Sequence, residues 1–183
     1  MTAVPPAPVA LSPVALTPEA YGAGIGALAD LLTATVAAGA SLGFLAPLDT
    51  ARAAAWWRSR RPAVDDGSLR VWAAPGPGGR ILGTAGLAFS PMPNGAHRAE
   101  VVKVMVHPDA RGRGLGRTLL HAAEQGAARA GVSLLVLDTE VGSAAERLYG
   151  GAGWTPAGVI PDFAADPHGV LRGTRIYYKR IGA

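Results

Sequence analysis

Two kinds of hydrophobic pattern run through the chain. One recurs every three to four residues and predicts helices; the other is a short valine- or leucine-rich run bounded by glycine, proline or polar residues, and predicts strands. Leu11 to Leu16 reads as a first short strand. Thr17, Pro18 and Glu19 then make a helix start, with a capping hydroxyl followed by proline where its missing N–H does no harm, and the helix extends into the thirties. In PLDTARAAAWWRSR, Asp49 caps a second helix of strong helix formers. Trp56 and Trp57 on it read as core or lid packing, with a pocket wall as the alternative. SLRVWAA and RILGTAGLAFS are strands around the turn PGPGG.

HRAEVVKVMV is apolar on both faces, which makes it central. Strict alternation would put Glu100, Val102, Val104 and Val106 on one face and Val101, Lys103 and Met105 on the other. A helix follows with Leu115, Leu119, Ala122, Ala123, Gly126 and Ala130 along one side, then a buried strand, VSLLVLDTE. SAAERLYGGAGW is a short helix with Ser143 and Glu146 as its capping box and Gly150 and Gly151 at its end. Two last strands lie near 155–160 and 174–179. The pattern is α+β, sandwich-like, with one helical crossover between two central strands. No linker or repeat divides it, so residues 11–183 form a single domain behind a flexible tail of residues 1–10.

Composition narrows the function classes. At 183 residues, 49% hydrophobic and 16% charged, the chain can bury one sizeable core. Cysteine is absent, which excludes disulfides and thiolate metal or redox sites and leaves the cytoplasm as the expected location. The most membrane-like stretch, Ala20 to Leu48, is interrupted by Asp30 and by several glycines. The net charge of +4 and pI near 10 suit an anionic ligand. The aromatics are not interleaved with the arginines, which argues against nucleic acid. The four histidines are scattered without a carboxylate at helical spacing, so no metal is expected.

The densest chemical signal is VHPDARGRGLGRTLL. A Walker loop would require a lysine that is absent, and a dinucleotide fingerprint would require glycine where Arg117 stands. What remains is Arg-x-x-Gly-x-Gly, comprising Arg111, Gly112, Arg113, Gly114, Leu115 and Gly116, between a central strand and a helix. Glycines let a phosphate approach the backbone, and the first turn, Leu115 to Thr118, offers unpaired N–H groups in a favourable dipole. A pyrophosphate suits that geometry. Arg111, Arg113 and Arg117 add charge-assisted hydrogen bonds, although at least one is free to face solvent or a further phosphate.

With this motif the sequence resembles the GNAT superfamily of N-acetyltransferases over roughly residues 80–179. HRAEVVKVMVHPDARGRGLGRTLL, LLVLDTEVGSAAERLYGGAGW, GVIPDFA and GTRIYYKR look most like the bacterial branch containing the tabtoxin-resistance acetyltransferase. The resemblance implies a mixed, mostly antiparallel sheet of six to seven strands, splayed between the fourth and fifth and flanked by about four helices. It implies acetyl-CoA as cosubstrate, with backbone groups near Met105 and Val106 polarising the thioester and Arg111 to Thr118 holding the pyrophosphate. It also implies a small-molecule amine as acceptor, an amino-acid-like toxin or antibiotic being one candidate and peptide amines another. Homodimers are common in the family. Many members carry asparagine where Gly142 stands, a departure for which Ser143 is the candidate substitute.

Direct acetyl transfer needs a neutral amine, a stabilised oxyanion and a proton for the departing thiolate. By the resemblance, Tyr149 donates that proton; its alternative is a core tyrosine beside Trp154. Glu100 and Asp138 are the candidate bases, because carboxylates on otherwise apolar strands need a task or a partner, and burial raises a carboxyl's pKa toward a base's range. His97 and His107 flank the same strand, His107 suiting a surface role. A sensor that binds acyl-CoA without turnover would keep the loop but not need Tyr149.

Overall fold

The computed structural model describes residues 12–182, so the expected N-terminal tail lies outside the described residues. Seven strands form one sheet: β1 (Val14–Ala15), β2 (Leu69–Pro75), β3 (Ile81–Phe89), β4 (Arg98–Val106), β5 (Leu134–Glu140), β6 (Thr155–Ala165) and β7 (Leu171–Arg180). Their order is β1-β2-β3-β4-β5-β7-β6, antiparallel except for the β4–β5 pair. That parallel pair requires a crossover, which α5 (Leu115–Arg129) supplies. The other helices are α1 (Pro18–Ala23), α2 (Ile25–Ala37), α3 (Thr50–Ser59), α4 (Arg61–Asp65) and α6 (Ala144–Gly151). No helix among the described residues is long and apolar enough to cross a membrane.

The caps act as their residues suggest. Thr17 Oγ1 accepts from Ala20 N, and an Asp49 carboxylate oxygen accepts from Arg52 N at 2.7 Å. The first predicted helix is two, parted at Gly24, and α4 adds a short turn after Arg60 where Pro62 restarts the helix. Helices α1 to α4 cover one face of the sheet with Tyr21, Leu28, Leu31, Leu32 and Trp57 as core. Trp57 is fixed at both ends of its residue: its indole N–H donates to Leu28 O at 3.0 Å, and its carbonyl accepts from the Tyr21 hydroxyl at 2.7 Å. Helix α5 covers the other face through Leu115, Leu119, Leu120 and Ala123, joined by Tyr149, Trp154 and Tyr177. Ala130 is not on that face; it is the exposed C-cap, and Ala127 takes the buried place.

The central strand departs from strict alternation. Thr84 of β3 pairs with Met105 and Gly86 with Val102, so one residue on β3 faces two on β4, and Lys103 adopts φ +50°. This is a β-bulge, and it inverts which residues share a face. Ala99 and Val101 before it, and Val104 and Val106 after it, pack with the α5 core; Val102 and Met105 pack with the α1–α4 core. Periodicity alone assigned Val104 and Val106 to the face of Glu100 and Val102, because one inserted residue leaves no mark on a valine-rich pattern.

Candidate active site

The sheet opens where β4 and β5 part. They pair only from Arg98–Leu134 to Glu100–Val136; beyond these, Val101 to Val106 and Leu137 to Glu140 have no ladder to each other. At the far end of β4 a tight turn at 108–110 leads through Arg111 to the start of α5.

Main chain dominates that start. Gly112 and Gly114 have φ of +74° and +78°, a region that favours glycine, and side chains added there would meet nothing within 4 Å. No side chain caps α5 at Gly114, and among the described residues the N–H groups of Gly112 to Arg117 find no acceptor. Six consecutive donors at the head of a 15-residue helix, beside open space, form an anion cradle. Such a cradle suits a phosphate group in charge. Gly116 lets the helix head sit close to Leu148 of α6 and Val106 of β4, since a Cβ there would lie 3.2 Å and 3.6 Å from their methyl groups.

The side chains of the same segment contribute unequally. Leu115 is buried, leaving only its N–H to the cradle, and the Thr118 hydroxyl donates back to Gly114 O at 3.3 Å. Arg111 folds back so that its Nε donates to Val106 O at 3.3 Å, at the end of β4. Arg117 lies against Gly151 at the end of α6, and Arg113 is exposed. His107 caps the turn by accepting from Asp109 N and lies beside Arg80; its side chain is only 17% exposed, so it is a partly buried turn cap rather than the surface residue expected.

Glu100 and Asp138 both lie opposite the α5 face, their strand neighbours Ala99, Val101, Leu135 and Leu137 being in the α5 core. Glu100 is exposed, not buried as expected of a carboxylate on an apolar strand, yet partial desolvation by the surrounding strands, followed by the nearby Asp138 carboxylate, raises its pKa above the ordinary 4.5. Asp138 is exposed rather than buried, so the burial expected to make it a base is not there. It has a partner instead: the buried Thr174 hydroxyl donates to Asp138 Oδ2 at 2.8 Å.

Tyr149 on α6 packs its ring against Trp154 and Tyr177, with centroids 6.0 Å and 6.1 Å away. Burial, and then the Asp138 charge, hold its phenol pKa well above the usual value, so the proton stays on the oxygen at neutral pH. The hydroxyl has no hydrogen-bond partner among the described residues and is not sealed from solvent. Ser143 spends its hydroxyl on the α6 cap, accepting from Glu146 N at 3.1 Å, while the Glu146 carboxylate takes Gly142 N rather than the N–H of the cap residue itself. Gly142, at the position often asparagine, has φ +82°.

A family model, the Acetyltransferase (GNAT) family, matches residues 38–154, well over half of the chain. The chain belongs to the GNAT acetyltransferase family. It is therefore an acetyl-CoA-dependent N-acetyltransferase. Among solved structures, a ribosomal-protein-alanine N-acetyltransferase from Brucella melitensis is 26% identical, with a TM-score of 0.69 over 87% of this chain and 95% of its own. A Salmonella typhimurium protein, yncA, assigned as an acetyltransferase and solved with acetyl-CoA, shares the fold at 22% identity and a TM-score of 0.71, over 94% and 95% of the two chains. A protein assigned as a phosphinothricin N-acetyltransferase shares it at 18% and 0.73, over 94% and 100%.

The acetyltransferase also has residues at the cleft that the sequence did not single out. Lys103, at the bulge, points its ammonium into a frame formed by Trp56, Phe44 and the Leu42 carbonyl, with Nζ 4.9 Å and 5.7 Å from the two ring centroids and 2.7 Å from the oxygen. Burial lowers its pKa. These contacts fasten the 38–49 segment over the sheet, and Ala46 N–H, donating to Pro167 O at 2.8 Å, fastens it to the β6–β7 turn. That turn is itself built on Asp166, which accepts from His168 N and Val170 N and pairs with Arg172. Of the paired tryptophans, Trp57 is core and Trp56 faces this side. A lone lysine in a valine-rich strand was the available signal for Lys103. Thr174 left none, since its partner is 36 residues away.

Proposed function

We propose that this acetyltransferase transfers the acetyl group of acetyl-CoA to a primary amine of a small molecule by direct attack on the thioester. The observation that carries the reading is the placement of an open main-chain anion cradle at the end of the strand that parts from β5 just beyond the Glu100–Val136 pair, with Asp138 on the parted stretch of β5. The donor's pyrophosphate is held by N–H groups of Gly112 to Arg117, with Arg111 and Arg113 supplementing the charge. Main-chain groups at Met105 and Val106 orient the thioester carbonyl. Thr118 and Ser143 act indirectly, by shaping the helix heads that face the donor.

Glu100 takes the proton of the attacking amine, the role that its raised pKa and its place at the mouth of the splay suit. Asp138, held by Thr174, fixes the local field that acts on both Glu100 and Tyr149. Tyr149 gives its proton to the leaving sulfur, and a phenol kept protonated by burial is available for that at any neutral pH. The absence of cysteine agrees with a route lacking a covalent thioester on the enzyme.

The doubly fastened 38–49 segment supports a small acceptor, and the sequence resemblance to the tabtoxin-resistance branch points to an amino-acid-like toxin or antibiotic. A second reading, a peptide or protein amine as acceptor, is favoured by the similarity to the Brucella enzyme. Thiol release from acetyl-CoA against a panel of amino acids, aminoglycosides and peptides, with CoA affinity measured by calorimetry, decides between them. Turnover on small amines supports the proposal; turnover on peptides alone favours the second reading. Tight CoA binding with no turnover on any member of the panel would contradict both readings of the acceptor.

A further inference from the structure

The β4 bulge is held in shape by the strand beside it. The β3 segment Gly83-Thr84-Ala85-Gly86 spans the irregularity, and each of three consecutive features in it fits one part of the bulge. At Gly83 a Cβ would come within 2.7 Å of Met105 O, closer than real Cβ contacts allow. At Gly86 a Cβ would sit 2.9 Å from a Val102 methyl and 3.1 Å from Val102 O. Two glycines thus stand where the β4 main chain leans in on either side of Lys103. Between them Thr84, fully buried, donates its hydroxyl to the carbonyl of Lys103 itself at 2.9 Å. A buried carbonyl displaced from the regular ladder needs such a donor.

Lys103 is also where strain and attachment meet. Its φ of +50° is one that lysine rarely adopts, and its ammonium is fastened to Leu42 O on the acceptor side. The bulge therefore bears on Met105 and Val106, two and three residues further on, and on the 38–49 segment at the same time.

We infer that Thr84 is a positioning residue for acetyl transfer, its hydroxyl locking the Lys103 carbonyl and so setting the direction of the Met105 and Val106 main chain toward the thioester. The inference rests on the reading that the thioester lies beside those two residues. Thr84 touches neither substrate; it acts through the bulge. Displacements of about 1 Å in a reacting group cost up to about 10²-fold in rate, so a small relaxation of the bulge is enough to register.

The test is a hydroxyl series at one position: Thr84→Ser, Thr84→Cys and Thr84→Val, with kcat measured under saturating substrates and CoA affinity by calorimetry. Thr84→Val keeps the volume and removes the donor. We expect its kcat to fall by at least about tenfold while CoA affinity stays within about threefold, because the cradle at Gly112 to Arg117 is untouched. Thr84→Ser should restore kcat to within about threefold of the parent, with Thr84→Cys, a weak donor, in between. If Thr84→Val does not fold, the Ser and Cys pair carries the test, since Cys must turn over more slowly than Ser at equal CoA affinity. Equal kcat across the series overturns the inference, as does a loss of kcat matched by an equal loss of CoA affinity, the mark of general structural damage. A parent protein that turns over no amine overturns both this inference and the proposed function, whereas an active parent with an unaffected Thr84→Val variant overturns this inference alone.

Discussion

On the α5 side of the sheet, the proposed seat of the donor is made of main chain: six N–H groups, two left-handed glycines and a helix head, with the arginines folded back, laid against α6 or exposed. On the α1–α4 side, the wall we propose for the acceptor is made of side chains: Lys103 between Trp56 and Phe44, and Glu100 near Asp138. A main-chain cradle binds what every member of a family shares, since phosphates need only N–H groups and space. A side-chain wall can change with each substitution, so it is the half in which acceptor choice resides.

The largest expected effect tests whether the chemistry straddles the two halves. Tyr149→Phe should lower kcat by about 10²-fold and leave CoA affinity nearly intact, a general acid's signature in steady-state kinetics against calorimetry. Unchanged turnover would reduce Tyr149 to a packing residue beside Trp154 and Tyr177.

Next is the pH profile. The folded protein favours the protonated form of Glu100, so the stability this group contributes is present at low pH and is lost as pH rises through its raised pKa, above 4.5. Activity that needs the carboxylate runs the other way and climbs through the same window. Glu100→Gln should flatten that ascending limb, while Asp138→Asn should leave the limb in place and lower the plateau. An unchanged limb in Glu100→Gln would pass the base role to Asp138.

A smaller effect separates the halves directly. Lys103→Met keeps the stem and removes the ammonium that fastens Leu42, so the acceptor KM should rise by about tenfold at unaltered CoA affinity. A change in CoA affinity alone would show the two halves are not independent. Smallest is Asp49→Ala, which removes the α3 cap and should cost about 1 kcal/mol in denaturant unfolding with little effect on either substrate.

The same contrast explains what could be seen in the sequence. Glycine spacing, a capping Ser143 and the 3.6-residue pattern of α5 are local signals, so the crossover, the cradle and the helix carrying Tyr149 were legible. The bulge was not, because a one-residue insertion within Val-Val-Lys-Val-Met-Val alters no local pattern, although it exchanges the faces of Val104 and Met105. Nor was the acceptor wall: Lys103 meets Leu42 across 61 residues and Asp138 meets Thr174 across 36, and such distant pairs leave no trace in spacing. Asp138 was expected to be buried because its strand is apolar, but the splay of β4 from β5 uncovers the strand's end.

The central claim is that the donor is held by backbone rather than by arginine charge, and calorimetry of CoA binding to Gly114→Val and Arg113→Ala tests it most directly. A valine at φ +78° strains the turn and crowds the cradle, so Gly114→Val should lose about 10²-fold in affinity, whereas Arg113→Ala should lose less than about tenfold. The reverse order, with Arg113→Ala the more damaging and Gly114→Val nearly silent, would contradict the account.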